Sequence, residues 1–364
     1  MVEYYLTVQS AIILVEGYET SDDQERRSTL FYLCLVRVRA YALFRLTTAR
    51  YLVTGGAGFI GSHIAEALLD RGETVRIFDN LSTGSQTNLA VLQGRAEFVQ
   101  GDLRNFDAVR EAMTGVEVVF HQGAMASVPR SIAHPIESLE TNINGTQHVL
   151  LAARDAGVRR VVYASSSSIY GNTPTLPKYE QMPPHPMSPY AVHKLTGELL
   201  CEMFTRLYGL ETVALRYFNV FGPRQDPTSE YAAVIPRFLT ALLQKRRPIV
   251  FGDGEQTRDF TYIANVVQAN LLAATSLDAV GHPLNIGCGE RISLNTVLRV
   301  AGELLGVATN AEYREPRPAD VRDSLADISL AQRLLSYKPT IRFREGLART
   351  LDALRRDTAS HLNR

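Results

Sequence analysis

Residues 51–72 read YLVTGGAGFIGSHIAEALLDRG, and this stretch restricts the possible folds more than any other in the chain. Its apolar start, Tyr51 to Thr54, predicts a short strand, and Ile60, Ile64, Ala67 and Leu68 then fall on one face of a helix. Strand, tight glycine turn and helix make a βα unit. Gly55, Gly58 and Gly61 have G-x-x-G-x-x-G spacing, which gives a turn free of Cβ atoms and close backbone approach to a pyrophosphate. The free N–H groups of the helix N-terminus then face the anion. A lone glycine motif is weak, but a second strand, TVRIFDN, follows and ends in Asp79. A carboxylate there can accept both ribose hydroxyls of an adenosine and would repel a 2′-phosphate, so the pattern favours NAD over NADP.

The alternation continues, with strands expected near Glu97–Gln100, Glu117–His121, Val158–Ser165 and Glu211–Tyr217 and helical patterns between them. That rhythm predicts an α/β protein built on a Rossmann-like, doubly wound parallel sheet. In GDLRN, Asp102 stands just past the third strand, where it can reach an adenine or cap a helix over Asn105–Met113. Gln122 to Ala126, in FHQGAMASVPRS, lie along the expected dinucleotide path, where small residues allow close approach.

With 364 residues, 45% of them hydrophobic, the chain can build a large core and two substructures. Its 38 basic residues balance 38 acidic ones, which gives no support for nucleic acid or an anionic membrane as the main partner. Cys34, Cys201 and Cys288 are far apart and without C-x-x-C spacing, which suits buried thiols in a reducing, cytoplasmic compartment; no metal site is expected. The first 49 residues differ from the rest. Leu30–Phe44 is apolar but broken by Arg37 and Arg39, short of the roughly 20 apolar residues a membrane span needs. The acidic segment TSDDQERR precedes it, where a secretory signal would be basic and then apolar. A weakly held appendage is expected over 1–49, with the functional chain beginning near Leu46 to Tyr51.

ASSSSIYGN, residues 164–172, could be a flexible linker, because serine competes with regular structure. The apolar β-branched stretch before it argues for a strand instead, which puts the serines at a carboxyl end in an open sheet. Twenty-four residues beyond Ser166 comes SPYAVHKLTGELL, where Tyr190 and Lys194 are four apart and project from one helix face. A phenol is a poor base at pH 7, but a neighbouring ammonium favours its phenolate, as would the charge of an oxidised nicotinamide. His193 points elsewhere and reads as a surface or packing residue.

TGGAGFIGS, the serine run ending in YG, and YAVHK together resemble the extended short-chain dehydrogenase/reductase family, especially its NAD-dependent nucleotide-sugar 4-epimerases. The resemblance covers Tyr51 to the C-terminus. It implies a dinucleotide-binding domain over 50–217 and a smaller C-terminal α+β substrate-binding domain over 218–364, with some segments returning to the sheet. It selects Ser166, four before the tyrosine of the YG pair, as the partner of Tyr190 and Lys194 in catalysis. Cofactor contacts are implied at Gly55, Gly58, Phe59, Ile60, Gly61, Asp79, Asn80, Gly84, Asp102, Leu103, Gln122, Ala124, Asn142, Tyr190, Lys194 and Tyr217. For the substrate, the implied contacts are Ser127, Ser166, Ser167, Asn219 on the phosphates, Ala233, Val234 and Ile235 at the uracil, Val250, the diphosphate clamp Arg258 and Arg317, Asp320 on the ribose, and Ser324. The helices over Ser131–Ala156 and Pro189–Tyr208 are expected to form the family's homodimer bundle.

Ser167 and Ser168 stand where the family's dehydratases carry Asp-Glu and its decarboxylases carry Glu at the second position. Removing water from C5–C6 needs an acid and a base, roles two serines fill poorly at neutral pH. Epimerisation at C4 needs only oxidation, rotation of the 4-keto sugar and re-reduction by the same bound cofactor. Some relatives have tyrosine at the position of Ser324, confining the pocket to plain hexoses. The serine here favours interconversion of UDP-N-acetylglucosamine and UDP-N-acetylgalactosamine, with UDP-glucose and UDP-galactose as a further pair. The alternatives are a UDP-glucuronate 4-epimerase, another dehydratase or decarboxylase of the family, and a non-catalytic protein that senses NAD.

Overall fold

The computed structural model of the protein describes residues 49–92, 94–226, 233–316 and 321–362, with side chains up to Arg356. Apart from Ala49, the expected appendage lies outside the described residues. So do Cys34, Arg317 and Asp320.

Parallel strands form the central sheet: β1 (Tyr51–Thr54), β2 (Val75–Asp79), β3 (Glu97–Gln100), β4 (Val118–His121), β5 (Arg160–Ser166), β6 (Glu211–Tyr217) and β7 (Pro283–Ile286). Their spatial order is β7-β6-β5-β4-β1-β2-β3. Because side chains alternate along a strand, Leu52, Val119, Val161 and Ala214 join one core, and Val53, Phe120, Val162 and Leu215 the other. Helices cover both faces, among them α1 (Phe59–Leu69), α2 (Phe106–Ala112), α3 (Gly145–Asp155) and α4 (Pro189–Tyr208). Strand order reverses between β1 and β4, so the crevice outside their carboxyl ends is where an open sheet of this kind takes a ligand. Strand β7 comes from beyond Tyr217 and returns to the sheet, pairing Leu284 with Leu215 and Ile286 with Tyr217. The chain beyond Tyr217 also forms small two-stranded pieces, pairing Val220–Phe221 with Thr261–Tyr262 and Ile249–Phe251 with Glu312–Arg314.

Two of the expected strands start late, β4 by one residue and β5 by two, and Glu117 and Arg159 form an ion pair (3.3 Å) just ahead of the ladder. The single helix expected over Ser131–Ala156 is instead broken into Val128–Ala133, Pro135–Leu139, a π turn at Glu140–Asn144, and α3. Pro135 has no N–H and cannot continue the preceding helix, so His134 leaves helical geometry (φ −130°, ψ 65°). The π turn turns Asn142 inward, where Oδ1 accepts the Met125 amide at 2.7 Å and Nδ2 donates to the Met125 carbonyl at 3.2 Å.

Candidate active site

The glycine turn after β1 has no room for side chains. A Cβ on Gly61 would lie 2.2 Å from the Gly55 carbonyl oxygen, and one on Gly55, at φ +66°, 2.7 Å from Gly123. Gly58 is the N-cap of α1 and brings no capping side chain, so the first amides of the helix, at Phe59, Ile60 and Gly61, remain for an anion. Asp79 closes the cradle: Oδ2 accepts from Ala57 N at 3.0 Å and Oδ1 from Leu81 N at 2.8 Å. A Cβ at Gly84 would come within 2.8 Å of the same carboxylate. These features, with Asp79 at the end of β2, fit a dinucleotide.

Asn80 Nδ2 donates to Asp102 Oδ2 at 2.9 Å, and Arg104 holds the Asp102 carboxyl well below its usual range. The helix-capping role considered for Asp102 falls to Asn105, whose side chain accepts from Ala108 N at 3.2 Å. Leu103 is buried, packed so closely that a Cβ on Gly123 would meet it at 2.8 Å. Gln122 Nε2 donates to the Tyr217 hydroxyl at 3.2 Å, and that hydroxyl donates to Asn270 Oδ1 at 3.0 Å. Beneath this path lies His121, which sequence reasoning did not single out. Its Nδ1 meets Thr54 Oγ1 at 2.7 Å and its Nε2 meets Thr146 Oγ1 at 3.0 Å. The Thr146 hydroxyl donates to the Asn142 carbonyl at 2.7 Å, which assigns the imidazole proton to Nε2. Burial pushes His121 down to about 3, so it stays neutral and joins β1, β4 and α3.

At the carboxyl end of β5 the structure brings Ser166, Tyr190 and Lys194 together. Ser188 caps α4 by accepting the Ala191 amide at 3.2 Å, and Pro189 takes the first helical position. Tyr190 therefore enters on the first turn, its amide donating to Ser131 Oγ at 3.1 Å. Ser166, whose Oγ accepts the Ser168 amide at 3.1 Å, acts on the Tyr190 phenol and works to lower it. Lys194, 3% exposed, donates to the Ala164 carbonyl at 2.7 Å and lies 5.9 Å from the Tyr190 ring centre. Burial raises the Tyr190 phenol above its ordinary value, and Ser166 works against that rise. Burial also lowers Lys194, to about 8. His193 is a packing residue, 3.1 Å from Ser138 Oγ. Ser127 caps the helix Val128–Ala133 by accepting Arg130 N, Ala124 three residues before it is half-buried, and Ser167 is half-buried.

A cavity of about 270 Å³ lies among Asn219, Ala233, Val234, Ile235, Phe251, Arg258 and Phe260, with other residues completing its wall. The helix starting at Val234 has Ala233 as N-cap and no capping side chain, so it offers backbone amides here. Val250 is fully buried, and its strand neighbours Ile249 and Phe251 face the cavity instead, as the alternation of a strand requires. Arg258 donates to the carbonyls of Thr257 and Arg322 at 3.0 and 3.1 Å. Asn219 Nδ2 donates to Ser324 Oγ and to the Asp259 carbonyl, both at 3.1 Å. Asp259, unremarked in the sequence, is fully buried and accepts the amides of Cys288, Gly289 and Ala326 at 2.8, 2.9 and 3.1 Å. It ties the loop after β7 and the Ser324 segment to Arg258. Its place in TRDF beside a clamp arginine was the available signal.

Residues 51–287 match the NAD dependent epimerase/dehydratase family. A putative UDP-glucose 4-epimerase of Methanocaldococcus jannaschii is 40% identical over 303 residues, 83% of this chain and 97% of that protein. Among solved structures, a UDP-N-acetylglucosamine 4-epimerase from Methanobrevibacter ruminantium in complex with UDP-N-acetylmuramic acid is 39% identical with a TM-score of 0.81, covering 85% of this chain and 99% of the other. A UDP-glucuronic acid 4-epimerase from Bacillus cereus, solved with UDP-glucuronic acid and NAD, is 32% identical with a TM-score of 0.78 over 84% and 99% of the two chains.

Proposed function

From the premise that the chain belongs to the NAD-dependent epimerase/dehydratase family, we propose that it interconverts UDP-N-acetylglucosamine and UDP-N-acetylgalactosamine, with UDP-glucose and UDP-galactose as a second pair. It is an isomerase of the UDP-sugar 4-epimerase group, and its cofactor is NAD. The observation that carries the reading is Tyr190 and Lys194 on one face of α4 beside Ser166 at the strand end, with serines rather than an acid–base pair at positions 167 and 168.

When bound, NAD supplies the acceptor and later the donor of a hydride at C4 of the sugar. Tyr190 takes the proton of the 4′-hydroxyl and returns it. Ser166 holds the 4′-oxygen, and Lys194 adds positive charge beside the phenol. Phe59, Ile60, Gly61 and Asp79 orient the cofactor. Asn219, Arg258 and the amides at Ala233–Ile235 hold the UDP portion, with Arg317 and Asp320 expected to complete the clamp. The preference for acetamido sugars rests on Ser324, whose small side chain leaves space that a tyrosine would fill.

A UDP-glucuronate 4-epimerase is the second reading. Ser168 Oγ is buried without a hydrogen-bond partner, and a free hydroxyl next to the C5–C6 positions suits a carboxylate. Purified protein given UDP-N-acetylglucosamine, UDP-glucose and UDP-glucuronate in turn, without added reductant, separates the two. Conversion of glucuronate alone would overturn the first reading.

A homodimer through α4 is part of the proposal. Val192, Leu199, Met203 and Leu207 form an exposed stripe 38–68% accessible, and Ile132 and Ile136 are 56% and 74% exposed on neighbouring segments. A contiguous apolar face of this kind marks an interface. Leu199→Glu should convert a dimer measured by light scattering into a monomer; a monomeric wild type would overturn it.

A further inference from the structure

One turn beyond Lys194, α4 carries Glu198, and the spacing puts Tyr190, Lys194 and Glu198 on one helix face. Glu198 is 8% exposed and Arg216, on β6, 4%. The guanidinium forks onto the carboxylate, Nε donating to Oε1 at 2.9 Å and Nη2 to Oε2 at 2.7 Å. Ser165, immediately before Ser166, donates its hydroxyl to the same Oε1. Arg216 Nη1 donates to the Tyr170 hydroxyl at 2.7 Å, and that hydroxyl donates to Asn285 Oδ1 on β7, also at 2.7 Å. One ion pair therefore joins α4 to the ends of β5, β6 and β7.

Stability alone does not account for such a pair. Desolvating both ions costs several kcal/mol each, and well-packed apolar residues of similar volume are often as good or better. A forked pair adds what apolar residues cannot, a fixed direction and a fixed charge.

We propose that Glu198, held by Arg216, is a positioning residue for the proton-transfer site: it docks α4 onto Ser165 so that Tyr190 meets Ser166, and it is the counter-charge of Lys194. The inference rests on the assignment of Tyr190 as the base. The groups facing the Lys194 ammonium are consistent with it. Its hydrogen-bond partner is the neutral Ala164 carbonyl, and it lies over the Tyr163 ring at 5.0 Å and the Tyr190 ring at 5.9 Å. Burial raises the Tyr163 phenol and the Cys201 thiol and lowers His121 and His193, so all four are neutral near pH 7. Glu198, one turn along α4 and forked onto Arg216, is the carboxylate on this face of the helix.

The test is the paired substitution Glu198→Leu with Arg216→Met, because removing one partner alone leaves an uncompensated buried ion. With the UDP-sugar that the wild type turns over best, kcat should fall about tenfold or more while KM changes less than about threefold. The alkaline limb of the kcat profile should move about one pH unit toward neutrality. Independently of turnover, the 13Cε resonance of Lys194, identified by its loss in Lys194→Met, should titrate at lower pH in the paired variant. Glu198→Asp keeps the charge but shortens its reach, so it should retain the wild-type alkaline limb with a reduced kcat; it carries the test if the paired variant does not fold. A folded paired variant with wild-type kcat, alkaline limb and lysine titration overturns the proposal, as does Glu198→Asp with wild-type kcat. Failure of the base assignment reads differently: Tyr190→Phe would then turn over at near the wild-type rate, whatever the Glu198 variants do.

Discussion

Asp79 Oδ2 accepts the backbone amide of Ala57 at 3.0 Å, which makes the glycine turn after β1 and the acidic end of β2 a single binding unit. Asp79→Ala should leave the amides of Ala57 and Leu81 without their acceptor and remove the partner of the ribose. Hydrogen bonds to a charged group contribute about 1.5–3 kcal/mol, so NAD affinity should drop by roughly ten- to a hundredfold, with less discrimination against NADP. Cofactor content after purification and calorimetric titration measure both. Undiminished NAD affinity would mean the carboxylate serves the turn alone.

Lys194 has its pKa lowered from 10.5 to about 8 by burial. Between those values the folded protein has released this proton and the unfolded chain still holds it, so the unfolded state binds more protons and stability should rise with pH across the window. Lys194→Met, neutral in both states, should lack that increment. Denaturant midpoints at pH 8 and pH 10 for the two proteins check the sign; equal slopes would show that the ammonium is not desolvated.

Tyr190→Phe removes the proton acceptor while keeping the ring. Its kcat should fall by about 10²–10⁴, the range of general acid–base catalysis, with folding and NAD content unchanged. Near-wild-type turnover would end the assignment.

Ser166 and Ser168 sit two apart with different partners. Ser166 Oγ takes the Ser168 amide and acts on the Tyr190 phenol, whereas Ser168 Oγ is buried with no partner. Ser166→Ala should therefore lower kcat on every UDP-sugar more than Ser168→Ala does. The reverse order on all of them would shift the catalytic position along the run.

The sheet and the placing of Tyr190 and Lys194 on one helix face were legible because period and spacing carry them. Alternating strands and a Tyr-x-x-x-Lys on a helix are local patterns, and the strands near Glu97 and Glu211 lie where the sequence puts them. Networks closed across the fold were not legible. Arg216 meets Glu198 from a different element, and the three amides on Asp259 come from residues 29 to 67 positions away. The continuity of a helix over Ser131–Ala156 failed on a local signal that was present, Pro135. The burial of Tyr190 was not legible because burial is a tertiary property: a lysine four residues on is near in any helix, but its hydrogen bond to Ala164 depends on where β5 ends.

Ser324 is 8% exposed, and its Oγ accepts from Asn219 Nδ2 at 3.1 Å, so it touches a residue expected to hold the substrate phosphates. The proposed function gives this small side chain a second role beside anchoring Asn219, leaving space for an acetamido group, and two substitutions separate the two. Ser324→Ala removes the hydroxyl and adds no volume, so kcat/KM should decline by a similar factor for N-acetylated and plain sugars. Ser324→Tyr adds a ring where the acetamido group would lie. Overpacking a formed site costs about 1–3 kcal/mol, or roughly one to two orders of magnitude in kcat/KM if fully expressed in the transition state. UDP-glucose lacks the group and should be affected much less. The measurement is the ratio of kcat/KM for UDP-N-acetylglucosamine over UDP-glucose in wild type and both variants. It should hold steady in Ser324→Ala and fall about tenfold or more in Ser324→Tyr. A ratio that Ser324→Tyr leaves unchanged would remove Ser324 from the sugar pocket, and with it the residue-level case for acetamido sugars.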